Sequence, residues 1–383
     1  MRKLVGRSRV YCSADVAVIT SAHRADDVRI YRKECRAFTE AGMKVLLVAP
    51  RAVVKTEQLS GLDLVEVSRP SSRLLRVLLG PILVFSVVFR SGVKAVHAHD
   101  PELLPLLFLW KLTHPRGVAI FDAHESLPRQ VLDKSYLPEG SRGLVSRLSR
   151  LLITIAGKFC DGIVCATSEI EKEFGCPRSS VVVRNFPWIS DFPNPVDRTN
   201  SFIGDLCYVG SVSEARGIAA MDELSKNWTV NVAGPVSEEL VRRYPRPNYC
   251  GAIAGKDIPE FVGGHRLGLA IYSKLANFEN GLPTKVFEYM ASGRPYIVTD
   301  MPGCAALFTT EVGGLVVDTE NGQALRNAVD KVVSDPDWAR TLGRRSRSAF
   351  LEKFSFDREA ELLLEFYRSL GVVKGVAEVV RNG

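Results

Sequence analysis

The sequence predicts an α/β protein of two similar halves, each a parallel sheet with crossover helices. Three observations predict it. Short runs rich in Val, Ile, Leu and Ala recur along the whole chain, with longer helical patterns between them. The stretch Asn185-Phe-Pro-Trp-Ile-Ser-Asp-Phe-Pro-Asn-Pro195 interrupts that alternation. It is rich in Pro and Asn and has no period, the composition of a linker. A chain of 383 residues is long for one domain and comfortable for two. We therefore expect domains at 1–190 and 191–383, the last helix, about 357–372, being a candidate to pack back on the first.

In the first half, Asp15 to Thr20 reads as a buried strand and Ser21 to Asp27 as the loop after it. A helix is expected from about Val28 to Ala41, stopped at Gly42. Lys44 to Pro50 and Leu62 to Val67 are strands. Ser72 to Ser91 holds the most apolar run, flanked by Arg73, Arg76 and Arg90. It reads as a helix broken near Pro81, either buried under the sheet or lying in a membrane interface. Ala95 to Asp100 and Val118 to Glu125 are strands that end in His97, His99, Asp100, Asp122, His124 and Glu125. Gly143 to Cys160 is an amphipathic helix with Leu144, Leu148, Leu151, Leu152 and Ile155 set against Arg147, Arg150 and Lys158. The same stripe suits a sheet or an anionic lipid surface. Gly162 to Ser168 and Val181 to Arg184 complete this sheet.

The second half restarts the alternation at Asp205 to Gly210. Strands follow at Thr229 to Gly234, Asn248 to Ile253, Leu267 to Tyr272, Tyr296 to Thr299 and Gly314 to Val317. Asn321 to Ser334, Trp338 to Phe354 and Asp357 to Leu370 are helical. Its most informative stretch is Asn280-Gly-Leu-Pro-Thr-Lys-Val-Phe-Glu-Tyr-Met-Ala-Ser-Gly-Arg-Pro295. At about 100° per residue, Val286, Phe287, Met290 and Ala291 share one side of a short helix, and Lys285, Glu288, Tyr289 and Ser292 the other. The first side can pack on a sheet while Lys285 and Glu288 face a cleft. The helix start suits a phosphate, because its first N–H groups lack helical partners and carry partial positive charge. Gly281 allows close approach, Lys285 adds a full charge, and Glu288 can accept two hydroxyl hydrogen bonds.

Charge and composition exclude several classes. Residues 1–190 hold 28 Lys and Arg against 18 Asp and Glu, so the first half carries +10 of a chain whose net charge is +7. That half suits an anionic partner. No aromatic–basic stacking motif appears, which argues against nucleic acid. The eight cysteines are scattered without a Cys-x-x-Cys, against a zinc ribbon or disulfide scaffold and in keeping with a reducing cytosol. No Gly-x-Gly-x-x-Gly follows the first strand, against a dinucleotide oxidoreductase. No run is long enough to span a bilayer, and no secretory signal opens the chain.

The stretch Asn280 to Pro295 resembles the donor motif of the retaining GT-B glycosyltransferases of family 4, in which two Glu are separated by seven residues. Glu288 stands at the second Glu and Asn280 at the first. Tyr208-Val-Gly-Ser-Val-Ser-Glu-Ala-Arg-Gly217 is similar to the family's Val-Gly-Arg…Lys-Gly segment, Arg216 matching the Lys and Ser211 standing where the Arg would be. Asp27 to Arg36, His99 to Pro105 and Asp122 to Ser126 look like members that build bacterial cell-surface glycans. The resemblance implies the GT-B fold, two Rossmann-like parallel-sheet domains facing each other across a cleft. It implies transfer of a sugar from a nucleotide-diphosphate sugar to a glycan or lipid-linked acceptor, with retention of configuration. Glu288 would hold the ribose and Asn280 the sugar. Gly210, Ser211, Arg216, Gly281, Leu282, Pro283, Thr284 and Lys285 would line the diphosphate, with Lys285 replacing the cation lost at Ser211.

On the acceptor side the resemblance implies His124 near the sugar, with His23, Asp27, His99, Asp100 and Glu125 around it. No cofactor or metal is expected, since no Asp-x-Asp motif is present. The expected setting is the cytoplasm, peripherally at the inner face of the membrane. Three rivals stay open: a non-catalytic GT-B-like binding subunit, a nucleotide-sugar epimerase, and a metal hydrolase built on His97, His99, Asp100, Asp122, His124 and Glu125. The last leaves the second half without a role.

Overall fold

The computed structural model describes residues 14–52, 58–70, 72–132, 139–193, 202–274 and 282–373. They form two compact units. The first comprises the described residues up to Asn185 and those from Glu359 on; the second is Phe186–Arg358.

The first unit is built on β1 Val16–Ile19, β2 Val45–Pro50, β3 Leu62–Val67, β4 Ala95–Ala98, β5 Val118–Ala123, β6 Gly162–Cys165 and β7 Ser180–Val182. The order is β3-β2-β1-β4-β5-β6-β7, every pair parallel. β1, β2 and β4 are buried along their whole length. Helices cover both faces of such a sheet, which is why these strands read as continuous apolar runs rather than alternating ones. The strand order reverses between β1 and β4. Loops leaving the carboxyl ends there are where an open α/β sheet binds its ligand.

The helix expected at 28–41 starts as a π-helix, Val28–Cys35, and continues as an α-helix, Arg36–Glu40, with Gly42 at φ 77° closing it. Asp27 caps it, accepting from the N–H groups of Arg29 and Ile30. The π stretch turns Arg29, Lys33 and Glu34 inward, where all three are buried. Helix Arg73–Val88 is continuous, contrary to the break expected at Pro81. Gly80 precedes the proline and has no Cβ for the pyrrolidine ring to strike. This helix is divided along its length: Val84, Phe85, Val87 and Val88 enter the core, while Leu75, Val77, Leu78, Leu79 and Ile82 are exposed. Helix Glu139–Phe159 buries Ser146, Ser149, Ile153 and Ala156 and exposes Leu144, Leu148, Leu151 and Ile155 on the opposite side. Of the two settings the sequence left open for this apolar stripe, the sheet is not the one it takes, since the stripe is exposed.

The second unit has β8 Gly204–Val209, β9 Val230–Ala233, β10 Asn248–Gly251, β11 His265–Ala270, β12 Tyr296–Thr299 and β13 Gly314–Val317. Its order is β10-β9-β8-β11-β12-β13, again all parallel, with the reversal between β8 and β11. The stretch read as a linker is in its described part a packed piece of this unit. Phe186, Trp188 and Phe192 are buried, and Phe186 meets Phe287 at 4.4 Å between ring centroids. Aromatic side chains outweighed the turn signal of Pro and Asn. Helix Phe356–Ser369 begins in the second unit and continues in the first. There Tyr367 is fully buried, and Phe366 and Leu370 pack so closely on Gly162 that a Cβ would lie 2.7 Å from the Phe366 ring. The described cysteines are free thiols.

Candidate active site

Helix Thr284–Ala291 follows β11 in the second unit. Val286, Phe287, Met290 and Ala291 are buried, matching their apolar character. The opposite side is not the open face its pattern suggests. Tyr289 is fully buried against Gly268, where a Cβ would lie 2.4 Å from its ring, and its hydroxyl donates to the Leu269 carbonyl at 2.9 Å. The helix lies between β11 and helix Pro336–Lys353, so both of its sides are covered. Lys285 is only 6% exposed. Its Nζ donates to the Tyr272 hydroxyl at 3.0 Å and stands 4.0 Å from the Tyr208 ring centroid and 4.9 Å from that of Tyr272. Burial and the nearby Arg216 charge pull its pKa down from 10.5 to about 7, against the pull of Glu288. Burial likewise pushes the Tyr272 phenol up to about 12.

The loop after β8 closes over this ammonium. Gly210 has φ 125°, and a Cβ there would be 3.7 Å from Lys285 Nζ. Gly234, after β9, passes so near that a Cβ on it would lie 1.9 Å from the Gly210 carbonyl oxygen. Arg216 is half-buried, and its Nη1 donates to the Ser211 carbonyl at 3.2 Å; Ser211 itself is exposed. Glu288, half-buried, follows Lys285 by one turn. Leu282, Pro283 and Thr284 lead into the helix, Pro283 extended and without a side-chain cap. Asn280 and Gly281 lie outside the described residues. Two cations, one stripped of water, thus converge beside a glycine backbone at the sheet's switch point, and a polyanion would relieve both.

In the first unit a cavity of about 230 Å³ opens at the carboxyl ends of β4 and β5. His23, His99, Asp100, His124 and Glu125 all line it, as does Asp122. His23 Nδ1 lies 3.2 Å from Asp27 Oδ2, and this hydrogen bond raises its pKa above 6.5 despite burial. The His23 and His124 rings meet edge to face at 4.9 Å. Asp27 is not among the lining residues; it caps the π-helix and holds His23. Asp100 also has structural work. Its Oδ2 accepts from Thr20 Oγ1 at 2.8 Å and from the N–H groups of Ser21 and Ala22 at 2.6 and 3.1 Å, pinning the loop after β1.

His124 Nδ1 stands 3.4 Å from Asp122 Oδ1, leaving the rest of the half-buried ring toward the cavity. Burial acts to raise the Asp122 pKa, but the Arg29 guanidinium, helped by the nearby His124 and His97 rings, holds it well below the carboxylate range. Arg76, whose Nε is buried without a partner, and Glu102 also line the cavity. Sequence reasoning singled out neither: Arg76 read only as a helix flank, and Glu102 stood inside the His99–Pro105 segment without a role of its own. The metal-hydrolase set does not assemble as read. Asp100, His124 and Glu125 stay outside the closest group, which is Glu34, His97, His99 and Asp122.

Solved structures of GT-B fold match nearly the whole chain. A sucrose-phosphate synthase from Thermosynechococcus elongatus has a TM-score of 0.72 at 16% identity, over 94% of this chain and 99% of that one. Anabaena HepE in complex with UDP-glucose has a TM-score of 0.67 at 13% identity, covering 94% and 99%. A UDP-forming α,α-trehalose-phosphate synthase from Burkholderia vietnamiensis has a TM-score of 0.63 at 11% identity, covering 92% and 99%. The chain thus has the two-domain α/β architecture of GT-B proteins. More narrowly, residues 215–365, which include Arg216, Lys285 and Glu288, match the family described as glycosyl transferase-like. No curated protein matches by sequence.

Proposed function

We propose that this chain is a glycosyltransferase of the retaining family 4 type. It moves a sugar from a nucleotide-diphosphate sugar to a glycan or lipid-linked acceptor in cell-surface polysaccharide biosynthesis. The observation that carries the proposal is the buried Lys285 ammonium beside Gly210 and Arg216, inside the segment that matches a glycosyl transferase-like family. One solved structure of similar fold holds UDP-glucose.

Sugar transfer is limited by charge. The leaving diphosphate becomes more negative as the sugar becomes oxocarbenium-like, and fixed cations and backbone N–H groups aimed at it lower that barrier. Lys285 and Arg216 supply the cations, Arg216 with two donors in one plane. Gly210 lets the backbone come close, Leu282, Pro283 and Thr284 bring the helix start to the phosphates, and Glu288 takes the ribose hydroxyls. With two cations present, the donor site needs no metal. In the first unit, His124 hydrogen-bonds a sugar hydroxyl, oriented by Asp122, while His23, His99 and Glu125 shape the acceptor end.

The membrane setting rests on a separate observation. Leu144, Leu148, Leu151 and Ile155 form one exposed stripe with Arg147, Arg150 and Lys158 beside it, and no acid lies between Gly140 and Phe159. A second copy of this helix would meet the stripe with like charge, whereas an anionic bilayer complements both its apolar and its basic parts. No helix among the described residues is long and apolar enough to cross a membrane. We therefore propose a peripheral position at the cytoplasmic face.

The test is a metal-free binding screen of UDP, GDP, ADP and CMP with their sugar conjugates, repeated on Glu288→Ala and Arg216→Ala. Tight binding of one nucleotide, weakened at least about tenfold in both variants, is expected. A folded protein that binds none of them would overturn the proposal and favour a non-catalytic subunit.

A further inference from the structure

Beside the first unit's cavity lies a set of buried groups of which only His99 and Asp122 reach the cavity wall. Glu34, His97, His99 and Asp122 come from the π-helical segment, β4, the residue just after it, and β5, and each is 0–1% exposed. Each offers one ligand atom, and the four atoms lie within 4.8 Å of one another. Glu34 Oε2 is 3.4 Å from His99 Nε2 and 3.7 Å from His97 Nε2, and His97 Nε2 is 3.7 Å from Asp122 Oδ2. Ligand atoms bound at about 2.1 Å to a tetrahedral ion stand about 3.4 Å apart, so the cluster already has the size of a coordination shell.

Its polar atoms are also unsatisfied. Both Glu34 oxygens, His97 Nε2 and both His99 ring nitrogens have no hydrogen-bond partner within the described protein. Arg29 Nε does lie 3.1 Å from Glu34 Oε1, but the pair is one of charge without hydrogen-bond alignment. Several such orphans at one fully buried spot call for an occupant.

The surroundings resemble those of a metal centre. His97 Nδ1 is 2.6 Å from the Tyr367 hydroxyl, a contact that fixes the ring and turns Nε2 inward. Arg29 sits on the outer side, donating to Asp122 Oδ2 at 2.7 Å and to the Val183 carbonyl at 3.0 Å, which leaves Glu34 Oε2 toward the imidazoles. Arg29 is shared between two buried carboxylates, and burial pushes the Glu34 carboxyl well above the usual carboxylate range, so a further positive charge, a proton or a metal ion, belongs with the pair. His99 and Asp122 also line the cavity, which provides a path inward from solvent.

We propose that Glu34, His97, His99 and Asp122 bind one divalent first-row transition metal ion, of which zinc best suits two imidazoles and two carboxylates in a small closed site. The ion ties the π-helical segment to β4 and β5. It thereby positions the cavity wall formed by His99 and by Asp122, through which His124 is held. It is separate from the donor cations of the second unit.

The test uses the full chain, dialysed against chelator and then titrated with Zn²⁺, with Mn²⁺ in parallel. Metal content is read by elemental analysis and the ligand shell by X-ray absorption. About one zinc per chain with a shell of N and O only is expected, weakened at least about 100-fold in His99→Asn and Glu34→Gln. The wild-type shell decides the question even where a variant fails to fold. Three results would overturn the proposal: no stoichiometric metal on folded wild type, sulfur ligands that reveal adventitious binding at cysteines, or unchanged binding in folded His99→Asn. In the first case the missing charge is a proton on the carboxylates. Nucleotide binding in the second unit is read separately, so the two proposals fail independently.

Discussion

If Lys285 meets the donor phosphates as proposed, donor binding is a proton-uptake step. In the empty site its pKa is about 7, against 10.5 for an ordinary lysine, because it is buried and faces Arg216. At about 1.36 kcal/mol per pH unit, charging this ammonium costs about 5 kcal/mol more than in water. A diphosphate against Nζ reverses that preference. Above about pH 7 the empty site is mostly neutral, so binding must bring a proton with it. Affinity for a nucleotide sugar then falls as pH rises, approaching tenfold per unit, with close to one proton taken up near about pH 8 and almost none near about pH 6. The effect on stability has the opposite sign. Between about 7 and 10.5 the unfolded chain holds this proton and the empty folded protein does not, so Lys285's contribution to stability rises with pH through that window.

The assay is calorimetry of UDP-glucose, or of whichever sugar nucleotide binds, in pairs of buffers that differ in ionisation enthalpy. Its diphosphate has no titrating group in this range. Lys285→Met keeps the apolar stem between Tyr208 and Tyr272 and removes the proton. Wild type is expected to show the uptake and the slope, and the variant weaker, pH-independent binding. Tight binding by wild type with no proton uptake between about pH 6 and 9 would place Lys285 away from the phosphates and refute the reasoning.

Three further outcomes are expected. Gly234→Ala drives a Cβ to within 1.9 Å of the Gly210 carbonyl at φ 149°, so it should lower stability by about 2–4 kcal/mol and weaken nucleotide binding with it; denaturant midpoints and the same calorimetry check both. Arg29→Met leaves the buried Asp122 carboxylate without its cation, at a cost of about 3–5 kcal/mol, while the fully apolar Ile19→Val should cost only about 1 kcal/mol. Leu148→Glu with Leu151→Glu, both exposed, should leave stability within about 0.5 kcal/mol of wild type. The pair should abolish co-sedimentation with anionic vesicles at low salt; wild type that stays wholly in the supernatant would remove the membrane assignment.

Much of the fold was readable because each sheet is parallel and covered on both faces. Such strands are unbroken apolar runs, and Tyr296–Thr299 and Gly314–Val317 begin and end where those runs do; Leu62–Val67, on the sheet edge, keeps its expected bounds although Asp63 and Glu66 interrupt it. Strand-end loops are ligand sites in this architecture, so His23, His99, Asp100, His124 and Glu125 could be grouped before their shared cavity was seen. Periodicity was less informative where a helix is covered twice. The 3.6-residue pattern of helix Thr284–Ala291 marks two sides, but not that Lys285 and Tyr289 on the polar one are buried against Tyr208, Tyr272 and Gly268 of the sheet. For the same reason the stripe Leu144, Leu148, Leu151 and Ile155 could not be assigned to core or surface, since either side of an amphipathic helix can meet the sheet.

The sequence by itself determined the alternation of strands and helices, the two-unit plan, and which loops carry cations, carboxylates and imidazoles, because these follow from local pattern and from where α/β sheets place strand ends. Only the tertiary structure decided protonation and company. It buried Lys285 between two tyrosines, brought Tyr367 from the last helix to His97, and set Glu34 against His99 across 65 positions of chain. Burial and the approach of distant charges arise from packing between elements, and no window of sequence contains both partners.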